Sequence, residues 1–203
     1  MDNKLIYEFS SQKTDGDASL SNLLGGKGAN LAEMSKLGIQ VPPGFTITTE
    51  ACNYFSKNKK LPDGLKEEII NYVSNLESLS QKSFGNSESP LLLSVRSGGM
   101  ISMPGMMDSI LNIGLNDDNV QNLAKAFNDE RFALDSYRRL IQMYSNVVLG
   151  VEMDRFEAVI ANKKRMDNVT SDADFNVEQL EWIINAYKNT VERFTNSPFP
   201  QDP

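Results

Sequence analysis

Leu23-Leu24-Gly25-Gly26-Lys27-Gly28-Ala29-Asn30-Leu31 decides how the chain folds, because glycines flank a single lysine and run directly into an amphipathic pattern that ends at Gly38. Such a segment predicts a tight turn, then a helix closed by a glycine C-cap. Its chemistry points to an anion: glycines let backbone N–H groups approach closely, a helix start offers unpaired donors and partial positive charge, and Lys27 adds a mobile full charge. Phosphate is the natural guest. The segment is not a Walker loop, since Gly28 follows Lys27 where Ser or Thr belongs and the upstream glycine spacing differs, nor is it a dinucleotide fingerprint. Taken alone, it also describes a flexible turn whose lysine is merely solvated.

Outward from this turn the chain alternates short apolar runs and loops. Leu5 to Phe9 is one such run, followed by a polar stretch to Asp17. Pro42-Pro43-Gly44 sets up the β-prone Phe45-Thr46-Ile47-Thr48 before a helix beginning near Thr48 or Thr49. Pro62-Asp63 opens another helix, with Leu65, Ile69, Tyr72, Val73, Leu76 and Leu79 at helical spacing. Ser83 to Ser89 reads as a polar loop, and Leu91-Leu92-Leu93-Ser94-Val95 as a buried strand bounded by Pro90.

Eleven of the thirteen glycines lie at or before Gly105, so turns concentrate early and the rest of the chain turns helical. One stripe is Tyr137, Ile141, Tyr144, Val148 and Val151; another is Leu180, Ile184, Tyr187, Val191 and Phe194, opened by a capping box of Asn176 with Gln179. Between them, Lys163 to Asp174 reads as an exposed connection. Three of the eight prolines fall in the last six residues, as in a linker. The expected fold class is α+β: a lobe at 1–115 with a short-stranded sheet and helices, a helical subdomain at 116–197, and a linker-like 198–203.

Composition removes much common chemistry. The 203 residues contain no histidine and one cysteine, Cys52, which excludes histidine-based nucleophiles, bases, phosphocarriers and metal ligands, and also disulfides and cysteine-rich zinc sites. A net charge of −7 argues against a nucleic-acid surface. With no signal peptide and no apolar run near the ~18 residues of a membrane span, the expectation is a cytoplasmic protein with no membrane partner. Cys52 reads as structural, Trp182, Tyr137 and Tyr144 as core, and Arg138-Arg139 and Lys163-Lys164-Arg165 as solvated faces.

Two further segments can carry function. In Ser94-Val95-Arg96-Ser97-Gly98-Gly99 an arginine ends an apolar strand, where its forked charge suits two phosphate oxygens and Ser97 with the Gly98-Gly99 amides can supplement it. A structural ion pair for Arg96 is the alternative. Met100, Met103, Met106 and Met107 crowd eight residues around Pro104-Gly105, fitting either a flat apolar ligand such as an adenine ring or an irregular core plug.

Taken in order, Leu24-Gly-Gly-Lys-Gly-Ala-Asn-Leu-Ala-Glu-Met34, Gly38-Ile-Gln-Val-Pro-Pro-Gly-Phe-Thr-Ile47 and Ser94-Val-Arg-Ser-Gly98 with Ser102-Met-Pro-Gly-Met-Met-Asp108 resemble the pyruvate, phosphate dikinase family. Glu130-Arg-Phe-Ala133, Asp135-Ser-Tyr-Arg-Arg139 and Phe199-Pro-Gln-Asp-Pro203 extend the resemblance over nearly the whole chain. It implies the N-terminal part of an ATP-grasp nucleotide-binding domain. The implied reaction interconverts ATP, phosphate and pyruvate with AMP, pyrophosphate and phosphoenolpyruvate through a phosphorylated histidine on a separate domain. That domain, a pyruvate-binding domain using Mg²⁺, and the acidic metal ligands are implied beyond these residues, so the chain reads as a fragment, inactive alone and homodimeric when full length.

On this resemblance Lys27 and Arg96 are the phosphate-contacting cations, with Gly25, Gly26, Gly28, Ser97 and Gly98 lining the ATP site, no catalytic residue and no metal ligand within the chain. The two cations are expected to converge on one triphosphate tail. Gly99-Met100 departs from the family's usual small or basic pair, and Ser102 and Asp108 match the motif without an assigned role. The related phosphoenolpyruvate synthase family shares the glycine-lysine start but differs at Ser102–Asp108. A non-catalytic module that packs between domains is the competing function class.

Overall fold

The computed structural model describes residues 4–85, 88–98 and 108–203. The chain divides into two compact units: one runs to Gln81 and takes in Ser97 and Gly98, the other consists of Lys82–Arg96 and Asp108–Pro203. Both mix helix with two-stranded sheets, so the fold class is α+β, as expected from the sequence.

In the first unit, β1 (Ile6–Phe9) pairs antiparallel with β2 (Gly44–Ile47), placing Tyr7 opposite Thr46 and Glu8 opposite Phe45. Between them runs α1 (Ser21–Lys36), and after them α2 (Thr49–Asn58) and α3 (Leu65–Ser80). The core is small: Ile6, Ala51 and Leu65 are buried, with Phe45, Ile47, Ile69 and Tyr72 packed on them. Local chemistry sets the boundaries. The Ala51 N–H donates to the Thr48 hydroxyl and starts α2. At the end of α1, the Gly38 N–H reaches the Ser35 carbonyl and the Ile39 N–H the Met34 carbonyl, a Schellman closure that needs the positive φ of 75° at Gly38.

The second unit holds β3 (Ser83–Phe84) parallel to β4 (Pro90–Leu91), and β5 (Leu93–Arg96) antiparallel to β6 (Ser109–Ile113). The helices α4 (Val120–Phe127), α5 (Glu130–Val147), α6 (Met153–Asp167) and α7 (Val177–Thr195) follow. Tyr137, Ile141, Phe156, Leu180, Ile183, Tyr187 and Val191 are almost wholly buried between them, and the Phe156 and Tyr187 rings meet edge to face at 4.8 Å. Phe199 is buried too, its ring 5.8 Å from that of Tyr144, while Gln201 Nε2 donates to the Tyr137 hydroxyl at 3.3 Å.

Several local expectations are corrected. Leu91–Val95 is not one buried strand: Leu92 separates β4 from β5, and Val95 is 55% exposed, because a two-stranded sheet covers only part of a strand. Lys163 to Asp167 belongs to α6 instead of a connection, since Lys163 pairs with Asp167 one turn on and Lys164 with Asp172, so the charges form a helix face. Arg138 is buried at 4% exposure, held by Asp135 at 2.7 Å, while Arg139 next to it lies open. Trp182 and Cys52 are exposed; the Lys163 ammonium lies over the Trp182 ring.

Candidate functional site

Gly25 breaks α1. Its dihedrals (φ 69°, ψ 161°) are open to glycine and costly for other residues, so the helical path stops there and resumes at Gly26. The amides of the next turn, Gly26 to Gly28, thus occupy the position where a helix has no intrahelical acceptors to offer. Gly25 and Gly28 are buried, whereas Gly26 and Lys27 are half-buried. A methyl group placed on Gly26 would meet nothing within 4 Å among the described residues. On Gly28 it would lie 2.7 Å from Thr46 Cγ2 and 2.8 Å from Thr46 Oγ1, so this glycine lets the helix sit directly on β2.

Lys27 makes no ion pair among the described residues, in contrast to Lys4, Lys13 and Lys36 of the same unit, which hold Asp15, Glu8 and Asp17. The bond from Lys36, with those from Ser19, holds the Asp17 carboxyl at about 2, below the usual carboxylate range. Lys27 therefore keeps its charge available beside these amides. Gly98 lies close by: a methyl on it would stand 4.0 Å from the Leu24 carbonyl oxygen.

The predicted site residues thus fall in two groups. Gly25, Gly26, Lys27, Gly28, Ser97 and Gly98 belong to the first unit, with Ser97 and Gly98 exposed. Arg96 is the last residue of β5 in the second unit, opposite Ser109, and its exposed side chain makes no ion pair among the described residues. Asp108 is exposed immediately before β6. Gly99, Ser102 and the methionine cluster lie outside the described residues. Among the described residues no group of three or more Cys, Asp or Glu side chains is gathered to hold a metal ion. No helix among them is long and apolar enough to cross a membrane.

Sequence reasoning overlooked Thr46 and Thr49, which brace the glycine turn from β2 and α2. The signal was the threonine run Thr46-Ile47-Thr48-Thr49, which alternation alone assigned to strand propensity and helix capping.

A glycine-broken helix start carrying a lysine with no ion pair among the described residues, on a small α+β unit, is an arrangement whose chemistry suits an anion. The family model of the pyruvate phosphate dikinase AMP/ATP-binding domain matches residues 21–85, the stretch from the start of α1 to just past β3. Pyruvate, phosphate dikinases of Rhizobium meliloti and Entamoeba histolytica are each 46% identical to this chain over 98% of it, and that of Rickettsia prowazekii 48% over 98%. Over nearly its whole length the chain is thus similar to part of the pyruvate, phosphate dikinases. It spans less than a quarter of the length of these relatives.

Proposed function

We propose that the chain supplies part of the ATP site of a pyruvate, phosphate dikinase, in which ATP, phosphate and pyruvate are converted to AMP, pyrophosphate and phosphoenolpyruvate. The observation that carries this reading is the break at Gly25, which leaves the amides of Gly26 to Gly28 at a helix start that includes Lys27, a lysine with no ion pair among the described residues. In that role the amides donate hydrogen bonds to phosphate oxygens and Lys27 neutralises the polyphosphate. Ser97 and Gly98 add short polar contacts, and Arg96, by family resemblance, serves as a second phosphate cation. Holding the phosphates still and neutralised is what in-line phosphoryl transfer needs from a binding site, since little covalent work falls to the protein. The phosphate acceptor proposed for this transfer is a histidine on another domain, because this chain has none. By the family resemblance, the Mg²⁺ ligands lie beyond these residues.

ATP titration with amide NMR tests the reading. Chemical shifts should move at Gly25 to Ala29, and Lys27→Met should weaken the response by roughly 10-fold or more, the scale of a charge-assisted hydrogen bond. A protein that responds nowhere near this turn is instead the packing module.

A further inference from the structure

Thr49 is the first residue of α2, directly after the capping residue Thr48. The Thr48 hydroxyl is engaged at home, accepting from the Ala51 N–H. The Thr49 hydroxyl leaves its own helix and donates to the Asn22 carbonyl at 2.8 Å, across 27 residues of chain. Asn22 stands three residues ahead of the break at Gly25, where a non-helical residue interrupts the run of helical hydrogen bonds. The far side of the break is fixed by Gly28, whose backbone sits so tightly on Thr46 that no Cβ fits. Thr46 and Thr49 straddle the junction of β2 and α2, and β2 is itself registered along β1. The turn is therefore held at both ends by one rigid corner.

We propose that Thr49 is a positioning residue of the anion-binding turn: its hydrogen bond to Asn22 fixes the segment before Gly25, and Thr46 supports the segment after it, so that the amides of Gly26 to Gly28 are aimed before a ligand arrives. This rests on the reading of the turn as the seat of the ATP phosphates. The physical gain is preorganisation, because a turn already ordered loses less entropy on binding. A hydroxyl is required there, and its geometry tolerates serine but not an isosteric apolar side chain.

Two readouts on the 203-residue chain test this, with Thr49→Val and Thr49→Ser. Without ligand, Thr49→Val should speed amide hydrogen exchange at Gly25 to Ala29 while the amides of α5 keep wild-type rates, which also shows that the variant is folded. With ATP, its affinity should fall by about 3- to 10-fold, the span of one net hydrogen bond, and Thr49→Ser should restore both. Wild-type exchange and affinity in Thr49→Val overturn the proposal, as does equal impairment by both substitutions, which would assign the effect to packing. If the wild-type chain shows no ATP response at the turn, the functional reading fails and the positioning role fails with it. A wild-type response that Thr49→Val leaves untouched sinks the positioning role alone.

Discussion

A methyl group on Gly28 would press into the branched side chain of Thr46, which is anchored in β2 and has no flexible end to swing away. Gly28→Ala should cost about 1–3 kcal/mol, as overpacking at a well-filled contact does, measurable by denaturant unfolding. Two residues earlier the physics reverses. Gly26 is helical and no described residue lies where its methyl would stand, so Gly26→Ala should leave stability unchanged or raise it by up to about 1 kcal/mol. The same methyl would stand in the way of a phosphate, so ATP-induced shifts at Gly25 to Ala29 should shrink in Gly26→Ala; an undiminished response would remove Gly26 from the site. These glycines look alike in the sequence, and what separates them is a strand that arrives 18 residues later. Arg138 and Arg139 make the same point. They are adjacent and chemically identical, yet only Arg138 turns into the core, where burial opposes its charge and Asp135 together with Tyr187 more than compensates.

Among the elements, α7 was the most legible. Asn176 and Gln179 exchange side-chain and backbone hydrogen bonds at 2.9 Å as a capping box, and Leu180, Ile184, Tyr187 and Val191 face the core, while Phe194, the last residue of the expected stripe, is exposed under the Arg155 guanidinium. Both signals depend on residues within one or two turns. The β4–β5 segment was misread because an apolar run states that something covers it without stating what. Tyr187 gives this helix a measurable pH dependence. Burial pushes its phenol up to about 12, against a smaller opposing pull from the Arg138 guanidinium. The unfolded chain ionises this group near pH 10 and the folded chain does not, so the stability it confers is complete below pH 10 and is lost as pH rises toward 12. Denaturant unfolding between those pH values should show a decline that is shallower in Tyr187→Phe by on the order of 2 kcal/mol. The Tyr137 phenol, raised by the same kind of burial, should preserve part of the slope in that variant. Identical slopes in the two proteins would contradict a buried, protonated Tyr187.

For the whole molecule, the two units have unequal cores: among the described residues, three buried residues form the cluster of the first and twenty that of the second. Stability follows buried apolar area, so the first unit should open at lower denaturant. Trp182, the single tryptophan, reports the second unit by fluorescence, and hydrogen exchange at Ile6, Ala51 and Leu65 reports the first. Exchange in the first unit should become global before the tryptophan transition begins; coincident transitions would mean a single cooperative block. By itself the sequence determined the helix caps, most of the helical stripes, the glycine turn and the family resemblance, because each depends on near neighbours or on motifs in a fixed order. Only the tertiary structure decided which arginine is buried, which glycine cannot bear a side chain, and that Thr49 holds Asn22, because these depend on partners brought together from distant parts of the chain, and no periodicity within one element encodes who those partners are.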